Sequence, residues 1–172
     1  MNRKRLVGLT RAAVIAALYA VLTYVASLFN LAYGPVQFRI SEVLTILPIF
    51  TFDAVPGLAI GCFIGNLLST VGWVDLLFGT AATLIAAVLT RRLRGVRIFG
   101  LPIPSALMPV ISNAVIVGLE LTLFLPGVEA SLAGFAVSFA SVGLGELVIC
   151  LALGLPFWAL IEKNKSLKKL FD

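Results

Sequence analysis

Long apolar segments with almost no charge inside them dominate this sequence and restrict what it can fold into. The first, Ala12–Phe29, contains no charged residue and is long enough to cross the hydrocarbon core of a bilayer. Over the whole chain 60% of the residues are hydrophobic, 12% are charged, and the mean hydropathy is +1.10. A water-soluble protein of 18.3 kDa has no interior large enough for so much apolar area. The sequence therefore predicts an integral membrane protein.

Turn and charge signals divide the chain into six apolar segments, which predict an all-α bundle of six transmembrane helices in a single domain, residues 1–172. The segments are Ala12–Phe29, Ser41–Phe52, Leu58–Val71, Leu76–Leu89, Ser105–Leu125 and Leu132–Ile161. The second is short and contains Pro48, so we expect a tilt or a kink. The sixth is long enough to need a tilt or a break near Gly143 and Gly145. The first lacks a signal-peptide cleavage region, so we expect it to be retained.

Basic residues flank the apolar segments unevenly, and this predicts the orientation. An even number of crossings puts both termini on one side of the membrane, and the positive-inside rule assigns that side to the cytoplasm. A single basic residue, Arg39, then lies outside. The inner positions hold Arg3, Lys4, Arg5, Arg11, Arg91, Arg92, Arg94, Arg97, Lys163, Lys165, Lys168 and Lys169. The net charge of +5 is therefore explained by membrane topology rather than by nucleic-acid binding.

Two residue types limit the chemistry that the chain can perform. It contains no histidine, which excludes histidine-based metal sites and histidine general bases. Its two cysteines, Cys62 and Cys150, both lie inside apolar segments, so we expect reduced thiols rather than a disulfide. No serine or cysteine has an obvious base at a motif spacing, which makes an enzyme the less favoured class.

The stretch QFRISE, residues 37–42, places a cation, a carboxylate and two neutral polar side chains at the predicted outer mouth of the bundle. Polar residues of other segments fall in the outer half or near the middle of the membrane, so they can converge with Arg39 and Glu42 on one outward-facing binding pocket. They are Asn66, Trp73, Asp75, Asn113, Glu120 and Glu146. A carboxylate inside the bilayer costs about 2.5 to 3.5 kcal/mol, so Glu120 and Glu146 need a partner, a water-filled cavity or a proton.

The charged members of this set also have structural interpretations. Arg39 and Glu42 have the spacing of a local ion pair, which is worth a few tenths of a kcal/mol when it is exposed. Glu146 is also explained by protonation or by pairing within the bundle. Glu120 lies near enough to the predicted membrane surface to reach water by snorkelling. The residues alone leave these alternatives open.

The neutral members are equally ambiguous. Asn66 and Asn113 serve as well for hydrogen bonds between helices, worth about 0.6 to 2 kcal/mol each, as for ligand binding. Trp73 is close to Asp75, which favours a role for Trp73 as a lid that covers a bound ligand. Tryptophan and tyrosine are also typical of the membrane interface, and this is the alternative for Trp73 and Tyr33. The convergence of these side chains on one binding pocket is therefore a hypothesis.

Small residues form a stripe on the first apolar segment. Ala12, Ala16 and Ala20 recur every four residues, with Ala13 and Ala17 alongside them. Such a stripe lets another helix approach closely. Packing inside the bundle and docking of a partner protein explain the spacing equally well.

These features resemble one family of membrane proteins. The chain is similar along essentially its whole length to the substrate-binding S components of energy-coupling-factor (ECF) transporters, and within them to the QueT family of queuosine precursor transporters. The resemblance rests on six segments in about this length, on the stripe Ala12, Ala16 and Ala20, and on three local runs. The runs are QFRISEVLTILP at 37–48, PGLAIGCFIGN at 56–66 and DLLFGT at 75–80.

The resemblance implies a division of labour among subunits. An S component binds its substrate from outside and docks through its first helix, here through Ala12, Ala16 and Ala20, onto a transmembrane coupling subunit. Two cytoplasmic ATPase subunits use ATP to drive uptake. The chain itself should then carry no cofactor and no nucleotide motif, and its sequence contains no Gly-rich Walker loop.

The ligand that the resemblance implies is a 7-deazaguanine such as queuine or its aminomethyl precursor, preQ1. A carboxylate can accept two hydrogen bonds from the guanine-like N1–H and exocyclic amine, and a second carboxylate can pair with a ligand ammonium. Stacking of the base adds about 1 to 3 kcal/mol, with Trp73 the first candidate. We expect Glu42 to face the ligand and Arg39 to orient it. The alternatives are an S component for a different vitamin-like solute, a membrane-embedded enzyme and a structural adaptor.

Overall fold

The structure, a computed structural model, describes residues 3–29, 38–69 and 71–171. The predicted turn at 33–35 and the side chain of Gln37 lie outside these ranges. The described residues form seven α-helices and three other helical segments, so the predicted all-helical class is confirmed. In chain order these are α1 (Arg3–Leu28), a 3-10 helix (Ile40–Ile49), α2 (Ala54–Gly65), a 3-10 turn (Asn66–Leu68), α3 (Trp73–Arg92), α4 (Ile103–Phe124), α5 (Leu132–Val148), a π-helical turn (Ile149–Gly154), α6 (Leu155–Lys163) and α7 (Lys165–Lys168).

Four helical stretches are long and apolar enough to cross a membrane. They are α1, α3, α4 and the continuous stretch Leu132–Lys163, in which the π-helical turn joins α5 to α6. Two further predicted segments correspond to the shorter apolar helices Ile40–Ile49 and Ala54–Leu68. The count of six crossings and the orientation therefore stay predictions. α1 begins at Arg3, well before the predicted Ala12, because long basic side chains continue a helix while their charged ends extend to water.

The 3-10 helix Ile40–Ile49 lies at the centre of the bundle, and eight of its ten residues are buried. Residues three apart share a face in a helix with three residues per turn. Leu44 and Leu47 accordingly join a core cluster with α1 and α2, while Ile46 and Ile49 join another with α4 and α6. A 3-10 helix rises about 2.0 Å per residue, against about 1.5 Å in an α-helix, so this short segment reaches further through the bundle than an α-helix of equal length.

The helices α1 and α2 pack closely through small residues. A Cβ atom built on Gly57 would lie 2.7 Å from the backbone oxygen of Ala12. One built on Gly61 would lie 2.8 Å from the backbone oxygen of Ala16. These distances are too short for any side chain, so glycine is required at both positions. Since the contacts advance along both helices together, α1 and α2 are parallel.

This packing buries the alanine stripe, which was expected to offer a docking face to a partner. Ala12, Ala16 and Ala20 are only 7%, 5% and 8% exposed. The glycines of α2 cover this side of α1, so the stripe is an internal helix contact. The neighbouring residues Ala13 and Ala17 are exposed and lie on the open side of α1.

The helices α3, α4 and α5 are antiparallel neighbours. Near the end of α3, Thr90 Oγ1 donates a hydrogen bond of 3.1 Å to the backbone oxygen of Ser105, near the beginning of α4. Further along α4, Gly118 lies against Phe139 of α5, where an added Cβ would be 3.1 Å from Phe139 Cα. The beginning of α3, the end of α4 and the beginning of α5 therefore lie at the same end of the bundle.

Basic side chains gather at the opposite end. Arg11 of α1 forms an ion pair of 3.4 Å with Asp53, just after the 3-10 helix. Arg91 of α3 donates hydrogen bonds of 2.9 and 3.1 Å to the backbone oxygens of Pro48 and Ile49. The beginning of α1, the end of the 3-10 helix and the end of α3 thus meet, and this is the end that the positive-inside rule associates with the cytoplasm.

Candidate substrate-binding site

A buried ion pair joins the beginning of the 3-10 helix to the beginning of α3. Arg39 Nη2 lies 3.1 Å from Asp75 Oδ2, and the two side chains are only 3% and 4% exposed. Asn66, at the end of α2, donates a hydrogen bond of 2.9 Å to the backbone oxygen of Asp75. Gly79 leaves the space for this arrangement, because an added Cβ would lie 2.5 Å from Asn66 Nδ2 and from Asp75 Oδ1. Three separate segments are therefore fixed together here.

Glu42 lies on the 3-10 helix, one turn after Arg39, and is completely buried. Its Oε1 accepts a hydrogen bond from the hydroxyl of Tyr19 on α1. Its second oxygen, Oε2, receives no hydrogen bond from any residue in the described ranges. The charge of Arg39 acts on Glu42, and the side chain of Asn113 lies beside it. Glu42 is thus held between α1 and α4 with one acceptor oxygen still available.

Asn113 and Glu146 connect α4 to α5. Asn113 Nδ2 donates a hydrogen bond of 2.9 Å to Glu146 Oε1, and both residues are 2% exposed. Cys150 Sγ lies 3.8 Å from the other oxygen of Glu146. Glu146 comes three residues before the π-helical turn, a departure from α-helical geometry that often occurs at functional sites. The charges of Glu42 and Arg39 act on Glu146, so this pair belongs to the same group.

Glu120 is different from the other carboxylates. It lies one turn before the end of α4 and is completely buried. Neither of its oxygens accepts a hydrogen bond from a residue that the structure describes. It is close enough to Asp75 and Arg39 for their charges to act on it. The bundle thus buries the Glu120 side chain without a hydrogen-bond donor from the described residues. The alternative that Glu120 reaches water by snorkelling is not what the structure shows.

The structure brings together seven of the eight predicted binding residues. Each of the seven is at most 3% exposed, and they connect through the hydrogen bonds and charges described above. They are Arg39, Glu42, Asn66, Asp75, Asn113, Glu120 and Glu146. The exposed local ion pair between residues 39 and 42 is therefore not what the structure shows. All seven are covered by other residues of the bundle.

Trp73 is the exception among the predicted binding residues. It is the first residue of α3 and is 69% exposed. It lies two residues before the buried Asp75, at the rim of the group rather than inside it. Stacking of Trp73 on a bound base would need a rotation of its side chain toward the site, so its role as a lid stays a prediction.

Two buried polar residues of the site, Tyr19 and Thr23, were not predicted from the sequence. Tyr19 is 1% exposed and donates to Glu42, while Thr23 Oγ1 donates a hydrogen bond of 2.8 Å to Ser41 Oγ. Tyr19 and Thr23 lie on the same buried face of α1 as Ala12 and Ala16. Their position on this face could have predicted their burial, because polar residues on the buried face of a helix must find hydrogen-bond partners inside the bundle.

The site combines more acidic than basic side chains with unused hydrogen-bond acceptors. Among the described residues, the buried charged side chains are four carboxylates and one guanidinium, all in this site. Five of the site's buried oxygens receive no hydrogen bond from the described residues: Glu42 Oε2, both of Glu120, Asn66 Oδ1 and Asn113 Oδ1. Buried acceptors without donors are costly, so this arrangement suits a ligand that carries several donors and a positive charge. Within the same ranges, no three His, Cys, Asp or Glu residues are placed to hold a metal ion.

Comparison with known proteins identifies a transporter family. The family described as QueT transporter matches residues 9–163 of this chain. A similar protein is the queuosine precursor transporter QueT of Lactococcus lactis subsp. cremoris strain MG1363, which is 38% identical over 85 residues. That match covers 49% of this chain and 50% of the relative, so it spans about half the length of each. No solved structure matches the chain significantly.

Proposed function

Since the chain belongs to the family of QueT transporters, we propose that it is the substrate-binding subunit, or S component, of an ECF importer in the cell membrane. Its substrate in this proposal is a queuosine precursor, either queuine or another 7-deazaguanine such as preQ1. Membership of a transporter family implies a non-enzymatic role, so the buried carboxylates would bind the substrate rather than catalyse a reaction.

The observation that carries this proposal is the donor-poor interior of the site. A 7-deazaguanine presents the N1–H and the exocyclic amine on one edge, and both are donors. Glu42 Oε2 and Asn113 Oδ1 are buried acceptors that receive no hydrogen bond from the described residues. Binding of the base edge at these atoms would supply the missing donors. A carboxylate that accepts from a base edge also discriminates strongly against ligands that lack those donors.

The proposed partners are the coupling subunit and the two ATPase subunits of the importer. In this arrangement the basic end of the bundle faces the cytoplasm, and the buried site lies toward the outer side, where the substrate is captured. The coupling subunit would dock on the exposed side of α1, which carries Ala13 and Ala17, because α2 covers Ala12 and Ala16. ATP is used by the partner ATPases, and this chain needs no cofactor.

A binding experiment with the purified protein tests the proposal. We expect calorimetry in detergent to give saturable binding of queuine or preQ1 without any ATPase subunit, and mass spectrometry of the extracted protein to detect the same class of compound. Glu42→Gln should weaken binding. It replaces a carboxylate, in which one oxygen accepts from Tyr19 and the other from the ligand, by an amide with a single acceptor oxygen. Glu162→Gln, an exposed carboxylate at the basic end, is the matched control and should bind as the parent does. Binding of another vitamin, with no response to any 7-deazaguanine, would contradict the proposed substrate.

A further inference from the structure

We propose that Glu120 binds a protonated amine of the substrate, so that the site selects cationic 7-deazaguanines over neutral ones of the same shape. This inference rests on the proposed function and assigns one part of the ligand to one side chain. It separates the ammonium-binding part of the site from the part that holds the base.

The hydrogen bonds of the four buried carboxylates distinguish Glu120 from the others. Asp75 pairs with Arg39 at 3.1 Å. Glu42 accepts from Tyr19, and Glu146 accepts from Asn113 at 2.9 Å. Each of these three is already fixed by a donor of the protein. Glu120 is equally buried, yet within the described ranges no residue donates to either of its oxygens.

The charges around Glu120 also favour a cation. Asp75 and Arg39 act on it, but Arg39 already forms the ion pair with Asp75. A carboxyl group that is buried away from water and accepts no hydrogen bond from the described residues gains most from a ligand that brings its own donors and positive charge. An ammonium group has three donors and fits a carboxylate with two free oxygens. A neutral substituent without a donor at the same place would leave both oxygens of Glu120 without a hydrogen bond.

Two ligands of nearly the same shape test this assignment. The purified full-length protein is titrated with 7-aminomethyl-7-deazaguanine, which is a cation at neutral pH, and with 7-cyano-7-deazaguanine, which is neutral. We expect the cation to bind about ten- to a hundredfold more tightly, as a hydrogen bond to a charged group is worth about 1.5 to 3 kcal/mol. Glu120→Gln should remove this preference while it retains binding of the neutral compound, which shows that the variant is folded.

Two further variants serve as controls. Glu120→Asp keeps the negative charge and should keep a preference for the cation. Glu129→Gln changes an exposed carboxylate beyond the same end of α4 and should leave both affinities unchanged. Equal affinity of the parent for the two compounds would overturn the inference, and so would a preference that survives in Glu120→Gln or disappears instead in Glu146→Gln. If the parent binds neither compound, the proposed function fails as well, so the two failures are distinguishable.

Discussion

Arg39 and Asp75, which are 36 residues apart in the sequence, form an ion pair of 3.1 Å inside the bundle, with less than 5% of either side chain exposed. The pair links the entrance of the 3-10 helix to the first turn of α3. The charge of Arg39 also acts on the other three buried acids, Glu42, Glu120 and Glu146. The ion pair therefore lies within the group of acidic side chains that forms the candidate site.

Removal of one member of this pair should destabilise the protein strongly. Arg39→Met leaves Asp75 buried without its cation, and we expect the free energy of unfolding to fall by about 3 to 5 kcal/mol. The double variant Arg39→Met/Asp75→Asn removes both charges and should recover most of this loss. Thermal unfolding in detergent measures both.

The exposed ion pair between Lys168 and Glu162 is the control for this prediction, since its side chains are 45% and 38% exposed. Lys168→Met should cost less than about 1 kcal/mol. An Arg39→Met protein as stable as the parent would mean that the pair does not hold these segments together.

Gly61 tests the contact between α1 and α2. In an exposed helix, Gly→Ala ordinarily stabilises by up to about 1 kcal/mol. Here the added methyl would lie 2.7 Å from Tyr19 Cβ and 2.8 Å from the backbone oxygen of Ala16, so the helices must separate. We expect Gly61→Ala to lower the free energy of unfolding by about 1 to 3 kcal/mol. Gly95→Ala, where nothing lies within 4 Å of the added atom, should show no loss in the same denaturation experiment.

The sequence predicted the helical class, because apolar segments are a local signal. It also named seven side chains that the structure buries close together, and their role in binding stays a prediction. It did not predict the 3-10 geometry of Ile40–Ile49, since that geometry depends on how this segment packs between α1, α4 and α6. The burial of Ala16 also depends on a distant partner, Gly61. Spacing in one segment shows that a helix can approach closely, but it does not show which helix does so.

Arg91 tests the connection between α3 and the 3-10 helix. Its guanidinium donates to the backbone oxygens of Pro48 and Ile49, which lie at the end of the 3-10 helix. Arg91→Met removes both bonds, and we expect a loss of about 1 to 3 kcal/mol in unfolding free energy. Arg92→Met changes the exposed neighbouring residue and should have little effect. Equal stability of the two variants would show that the backbone oxygens are satisfied equally well by water.

Substitutions on the two alanine faces of α1 distinguish packing inside the bundle from docking of a partner. Ala16→Leu adds bulk against α2 and should destabilise the isolated protein, as measured by thermal unfolding. Ala17→Trp adds bulk on the exposed side, so stability and substrate binding should be retained. Under the proposed function, Ala17→Trp should reduce uptake by the complete importer about tenfold, which corresponds to about 1.4 kcal/mol of docking energy. Uptake at the parental rate would exclude this face of α1 as the docking surface.

The hydrogen bond between Tyr19 and Glu42 connects α1 to the candidate site, and Tyr19→Phe isolates the contribution of this bond. The substitution keeps the ring and removes only the donor, so a buried oxygen of Glu42 loses its partner. The cost should be about 1 to 3 kcal/mol in unfolding free energy. Tyr24→Phe, on the same helix at 44% exposure, is the control and should be near neutral. A ligand that donates to Glu42 Oε2 leaves the lost bond at Oε1 unreplaced, so saturating substrate should stabilise Tyr19→Phe and the parent by the same amount. A stability difference that narrows with substrate present would mean that the ligand donates to Oε1 instead.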